Sequence, residues 1–161
     1  MSPMSTDDFP VLGEEAPGHT APWVYMAGPI DYVESQRLAD HKVSNWRHRY
    51  FSELPIHILC PTCMNVASKT WDDVMYNNSR AVISADAFVG YFPGDVATFG
   101  TPIEIADWLQ HGTPLRPGET SDALLIHPSK PGVFVQMYQA NYGLVVVRNF
   151  EEARQWLRKR Y

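Results

Sequence analysis

Short apolar runs alternate with segments of helical periodicity along most of this chain. The apolar runs cover residues 23–27, 56–59, 87–92, 123–126 and 144–147, and the helical patterns cover 35–54, 71–84, 101–110 and 150–160. Strands that are apolar along their whole length are typical of parallel sheets, because helices cover both faces of such sheets. We therefore expect an α/β sandwich around a mostly parallel, five-stranded sheet.

Residues 127–142 fit this alternation least well. Their pattern predicts either an extra strand at 133–137 or a long functional loop. Residues 1–22 are rich in Pro, Ser, Gly and acidic side chains, which predicts a flexible N-terminal arm. We expect the remaining residues, 23–161, to form one domain with a single core, because the chain has only 161 residues.

The composition of the chain indicates which kinds of partner the protein can bind. Hydrophobic residues make up 45% of the chain and charged residues 19%, as in a globular protein. The formal net charge of −5 gives no electrostatic footprint for a nucleic-acid polymer, and no run approaches the roughly 20 apolar residues that cross a bilayer. The N-terminus lacks the pattern of a secretory signal, and two cysteines suit a reducing compartment. We expect a cytoplasmic protein whose partner is a small molecule.

The segment Gly100-Thr101-Pro102-Ile103-Glu104 carries the strongest candidate for chemistry. Thr101 suits a helix N-cap, Pro102 the first helical position and Glu104 the third, so the segment reads as a capping box. A helix N-terminus also stabilises an anion, which would keep Glu104 ionised as a nucleophile requires. The spacing is compatible with a helix cap and with a nucleophile.

Other polar residues lie near the predicted strand ends, where parallel sheets bind ligands. Asp95 follows the third strand and could act as an acid beside Glu104, although a turn residue would look the same. Asp86 begins that strand and is therefore farther away. Gly28 and Pro29 follow the first strand, where glycine lets backbone approach a ligand. Polar groups for a sugar or base are offered by Asp31 and Asn78.

The spacing Cys60-Pro61-Thr62-Cys63 can mark a redox pair or half of a zinc site. A zinc site needs further ligands, and no second pair of cysteines or closely spaced histidines occurs in the sequence. A thioredoxin-like pair should open a helix, whereas loop-like residues follow Cys63. We therefore expect no metal site and no cofactor.

Four segments of the chain, taken together and in sequence order, resemble the nucleoside 2-deoxyribosyltransferase family. They are residues 24–29 (VYMAGP), 76–78 (YNN), 85–89 (ADAFV) and 95–105, which contains GTPIEI. The resemblance implies a flavodoxin-like fold and a glutamate, here Glu104, that forms a covalent sugar–enzyme intermediate. It also implies that Asp95 contacts the departing base. Together with the polar residues noted above, the predicted substrate-binding residues are Tyr25, Ala27, Gly28, Pro29, Asp31, Asn78, Asp86, Gly100 and Thr101.

The resemblance implies transfer of a 2-deoxyribosyl group to a second base. Some transferases carry an aspartate where this chain has Ser79, and the same superfamily includes hydrolases of nucleoside 5′-monophosphates. A non-catalytic nucleotide sensor on the same fold is a third reading, because fold alone does not fix function. Family members often complete the site from a neighbouring subunit, so a homo-oligomer is expected, with residues 139–142 as the candidate contribution.

Overall fold

The computed structural model describes residues 21–28, 46–61, 70–92, 100–111 and 119–161. Within these ranges the chain forms one sheet of five strands: β1 (Trp23–Ala27), β2 (His57–Leu59), β3 (Ala87–Tyr91), β4 (Ala123–Ile126) and β5 (Val145–Val147). All neighbouring strands are parallel, and their order is β2-β1-β3-β4-β5. This order is that of flavodoxin-like folds, so the predicted α/β class and the parallel five-stranded sheet are confirmed.

Helices cover both faces of the sheet. They are α1 (Trp46–Phe51), α2 (Trp71–Ser84), α3 (Gly100–His111), α4 (Val133–Tyr142) and α5 (Phe150–Arg160). One face packs against α1 and α5 through a cluster that includes Met26, Phe51 and Leu157. The opposite face packs against α2, α3 and α4 through a cluster that includes Tyr25, Val82 and Ile105. No helix among the described residues is long and apolar enough to cross a membrane.

Capping residues that are close in sequence determine where α2 and α5 begin. Thr70 and Asp73 form a capping box at the start of α2, each side chain accepting a hydrogen bond from the other's backbone N–H. The Asn149 side chain accepts from the backbone N–H of Glu152 and so caps α5. Both helices therefore have the predicted bounds. Of the predicted helix at 35–54, the part at 35–45 lies outside the described residues, as do residues 1–20 of the predicted arm.

Both predictions for residues 133–137 are wrong, because this segment lies in helix α4 rather than in a strand or a loop. The alternation of Val133, Val135 and Met137 imitates a strand. However, β4 and β5 are parallel neighbours, and parallel strands require a crossover connection, which is usually a helix. Gly143 ends α4 in the left-handed conformation at φ 66°, which glycine adopts without strain.

Candidate active site

A hydrogen bond joins β1 to α3 at the centre of the candidate site. The Tyr25 side chain is fully buried, and its hydroxyl donates to Glu104 Oε1 over 2.8 Å. Glu104 itself is half-buried. Gly90 of β3 packs closely in the same layer: an added Cβ would lie 3.0 Å from Leu125 Cδ1 and 3.4 Å from Ile105 Cδ1 of α3.

Burial and the adjacent carboxylate determine the protonation state of Tyr25. Burial is the larger cause that raises the pKa of the phenol well above 10.0, and the charge and hydrogen bond of Glu104 raise that pKa further. The positive charge of Arg47 opposes this shift. Tyr25 therefore remains a protonated donor at neutral pH, and a donor of this kind favours the anionic form of the carboxyl group that accepts from it.

Arg47 connects α1 to the carboxyl end of β1 through hydrogen bonds. Its side chain is fully buried, with Nε donating to the Met26 carbonyl over 2.7 Å and a terminal nitrogen donating to the Gly28 carbonyl over 3.2 Å. Arg47 lies outside the sequence motifs that predict the site. The available signal was its helical spacing from Phe51 and Leu54, both buried, which marks Arg47 as facing inward.

Gly28 lies immediately after β1 and has an aromatic neighbour. A Cβ added there would lie 2.7 Å from Trp46 Cζ2 and 3.2 Å from Tyr91 Cβ. Sequence reasoning attributed this glycine to close approach of a ligand. The described contacts give a second reason, because the indole ring of Trp46 occupies the space that a side chain would need.

Gly28→Ala is expected to lower the free energy of unfolding by about 1–3 kcal/mol, since the new methyl group overpacks the ring of Trp46. Urea denaturation of the variant measures this as a lower midpoint at an unchanged slope. Gly132→Ala is the matched control, because a Cβ there meets nothing within 4 Å. A Gly28→Ala midpoint equal to that of the control would contradict the steric requirement.

The other predicted site residues fall into three groups. Ala27 is buried at the end of β1, and Asn78 is half-buried on α2, which packs against α3. Asp86 precedes β3 and accepts from the backbone N–H of Trp23, so it lies at the amino edge of the sheet and is not brought together with Glu104. Three residues lie outside the described part of the chain: Pro29, Asp31 and Asp95.

The start of α3 differs slightly from the predicted capping box. The helix begins at Gly100, one residue before the expected cap, and this places Thr101 inside its first turn. Gly100 and Thr101 both lie in the first turn of α3, the helix that carries Glu104. The carboxylate of Glu104 is engaged by Tyr25 across 79 positions of sequence, a contact that a local cap does not require.

Two aromatic residues follow the strands next to α3. Phe92 follows β3 and His127 follows β4, and their rings stack with centroids 5.8 Å apart and planes at 12°. Phe92 also lines an apolar cavity of about 310 Å³ between α3 and α4. On the α3 and sheet side the cavity is bounded by Phe92, Ile105 and Leu125, and on the α4 side by Phe134, Val135 and Tyr138. Neither Phe92 nor His127 lies in a segment that the sequence predicts to bind substrate.

The described residues contain no group of three or more His, Cys, Asp or Glu side chains that could hold a metal ion. Cys60 is buried just beyond β2, close enough to Tyr25 to add slightly to its raised pKa. Its predicted companion, Cys63, lies outside the described residues. The described residues therefore do not test whether Cys60 and Cys63 form a functional pair.

Fold and site together define a flavodoxin-like α/β domain with a carboxylate and a buried phenol paired near the carboxyl ends of β1 and β3. Scans against protein-family models and against curated proteins found no match. Among solved structures, the chain is similar to the CMP N-glycosidase BcmB of Clostridium botulinum, with a TM-score of 0.51 and 17% sequence identity. The match covers 86% of this chain and 99% of that one. At this identity the likeness establishes a shared fold.

Proposed function

We propose that this chain cleaves the N-glycosidic bond of a nucleoside or nucleotide, with the carboxylate of Glu104 as nucleophile. The observation that carries the proposal is the hydrogen bond from the buried Tyr25 hydroxyl to Glu104 Oε1. It supports an oriented, ionised carboxylate beside the β1/β3 switch point, where this sheet order binds ligands. Two further lines of support are the resemblance to nucleoside 2-deoxyribosyltransferases and the fold shared with a CMP N-glycosidase.

The proposed reaction has two steps. In the first, a carboxylate oxygen of Glu104 bonds to C1′ of the sugar while the bond from C1′ to the base nitrogen breaks, and the base leaves with the electron pair. In the second, water or another base attacks C1′ and the ester bond breaks, which returns its electron pair to the carboxylate. The attacking group loses a proton, which balances the proton that the departed base takes up. Tyr25 holds the carboxylate in both steps. Asp95 stays the candidate for contact with the departing base.

The acceptor of the sugar separates two versions of this function. The sequence resemblance favours transfer of a 2-deoxyribosyl group to a second nucleobase. The named activity of the fold neighbour, cleavage of CMP, favours hydrolysis of a nucleoside 5′-monophosphate with water as acceptor. Both versions use the same covalent step at Glu104, so the proposal for this residue does not depend on the acceptor.

Product analysis distinguishes the versions. The protein is incubated with deoxynucleosides, ribonucleosides and their 5′-monophosphates, each with and without a second free base, and products are separated chromatographically. A new nucleoside indicates transfer, whereas free base with sugar or sugar phosphate indicates hydrolysis. Binding without turnover for every pairing would contradict the proposed enzyme and favour the nucleotide sensor.

The homo-oligomer implied by the resemblance also stays a prediction. Apolar side chains of α4 offer a surface for it, because Val133, Phe134 and Met137 are all more than half exposed. Exposed apolar side chains grouped on one helix are typical of protein–protein interfaces.

A further inference from the structure

His127 lies at the edge of the sheet where the candidate site is. It directly follows β4, and its backbone N–H donates to the Val147 carbonyl over 2.8 Å. Phe92 occupies the equivalent place after β3, with its N–H donating to the Ile126 carbonyl. Tyr91 and Ile126 are register partners, so Phe92 and His127 are the next pair beyond the parallel ladder. Their stacked rings therefore stand side by side at the carboxyl edge.

The imidazole faces the same side of the sheet as Glu104. Side chains alternate along a strand, so His127 continues the side of Leu125, which packs against α3. Phe92, on which His127 stacks, lines a cavity with Ile105, the residue that follows Glu104 on α3. His127 and Glu104 thus share one face and one edge of the sheet.

The ring nitrogen Nδ1 of His127 is buried and has no hydrogen-bond partner among the described residues. The whole residue is only 9% exposed. A buried polar group without a partner costs roughly 1–3 kcal/mol, so such groups are rare unless water or a ligand completes them. At the ligand-binding edge of a flavodoxin-like sheet, a bound substrate is the natural partner.

We propose that His127, through Nδ1–H, donates a hydrogen bond to the nucleobase as it departs. This inference rests on the proposed function and adds a residue to it. As the C1′–N bond breaks, the electron pair and its negative charge move onto the base, and the donated hydrogen bond stabilises that charge. The base then takes a proton from water. No oxidant, metal or second substrate enters this step.

The surroundings of His127 favour the base over a sugar or a phosphate. Phe92 presents an aromatic ring, and the cavity beside it is apolar. A flat heteroaromatic ring fits such a surface, with one polar group to orient it. A phosphate would require cationic or multiple N–H donors, and the described residues that line this cavity supply no cationic side chain.

The test varies the leaving group and keeps the sugar. Wild type and His127→Phe are compared on deoxynucleosides and their 5′-monophosphates and on p-nitrophenyl 2-deoxyribosides with and without the 5′-phosphate. His127→Phe retains a ring against Phe92 and removes the N–H. With the nucleobase substrates kcat should fall on the order of 10²-fold. With the p-nitrophenyl substrates it should change little, because nitrophenolate stabilises its own charge.

His57 provides the matched control. It is also buried with Nδ1 lacking a partner among the described residues, but it lies at the amino end of β2 and stacks on Trp23 with centroids 4.4 Å apart. His57→Phe should affect both substrate types equally. Equal losses on both substrate types in His127→Phe, or no loss with the nucleobase substrates, would overturn the proposal.

A binding measurement separates this inference from the proposed function. Protein labelled with ¹⁵N-histidine is titrated with cytosine and with adenine, and the His127 resonances are assigned by their absence in His127→Phe. A shift of the Nδ1 resonance on addition of either base supports the contact between His127 and the base, even if wild type shows no turnover. Absence of turnover would count against the proposed role of Glu104 and not against that of His127. An Nδ1 resonance that neither base moves overturns the role of His127, whatever the turnover.

Discussion

Glu104→Gln is expected to lower turnover by on the order of 10³-fold or more while leaving the fold intact. The amide removes the negative charge with which the proposed nucleophile attacks C1′. Its carbonyl oxygen can still accept the hydrogen bond that Tyr25 now donates to Glu104 Oε1, so the contact between β1 and α3 persists. Activity and stability should therefore separate in this variant.

Turnover of the substrate that product analysis identifies gives the first readout, and urea denaturation gives the second. Intact-mass spectrometry after rapid quenching adds a third, since only the wild type should carry a covalently bound sugar. Glu53→Gln controls for the lost charge, because that carboxylate is 83% exposed and pairs with Arg154 of α5 on the other side of the sheet. A Glu104→Gln protein within tenfold of wild type would disprove the nucleophile.

The sequence could predict those parts of the fold that local signals determine. The capping residues of α2 and α5 and the apolar strands are readable over a few positions. The predicted bounds of these helices agree with the structure, and those of the strands agree to within one residue. Helix α4 is different, because Val133 and Val135 alternate like strand residues. What makes this segment helical is the parallel pairing of β4 and β5, which no short window of sequence contains.

The same distinction between local signals and tertiary structure decides which site residues could be predicted from the sequence. Glu104 was identifiable because it lies in a motif. Its hydrogen bond to Tyr25 follows from strand order and from the packing of α3 over β1, so it depends on tertiary structure. Arg47 and His127 lie outside all the motifs. Helical spacing indicates that Arg47 faces inward, but its hydrogen bond to the Met26 carbonyl and the stacking of His127 on Phe92 depend on tertiary structure.

Tyr25→Phe is expected to lower kcat by roughly 10–100-fold, corresponding to a charge-assisted hydrogen bond of about 1.5–3 kcal/mol. The effect should be larger on the second step than on the first. In the first step the carboxylate loses its charge as the ester forms, so the hydrogen bond weakens on the way to the transition state. In the second step Glu104 is the leaving group, and the returning charge strengthens the bond from Tyr25.

Because the second step slows more, the covalent sugar–enzyme intermediate should make up a larger fraction of the Tyr25→Phe protein than of wild type during turnover. Quenched-flow sampling followed by intact-mass spectrometry measures the bound fraction during steady-state turnover. Tyr50→Phe is the matched control, because that ring stacks on Phe150 on the opposite face of the sheet, with centroids 4.2 Å apart. Unchanged kcat in Tyr25→Phe would show that the hydrogen bond to Glu104 only stabilises the fold. A lower kcat without a larger bound fraction than in wild type would instead place its effect on the first step, contrary to the charge argument.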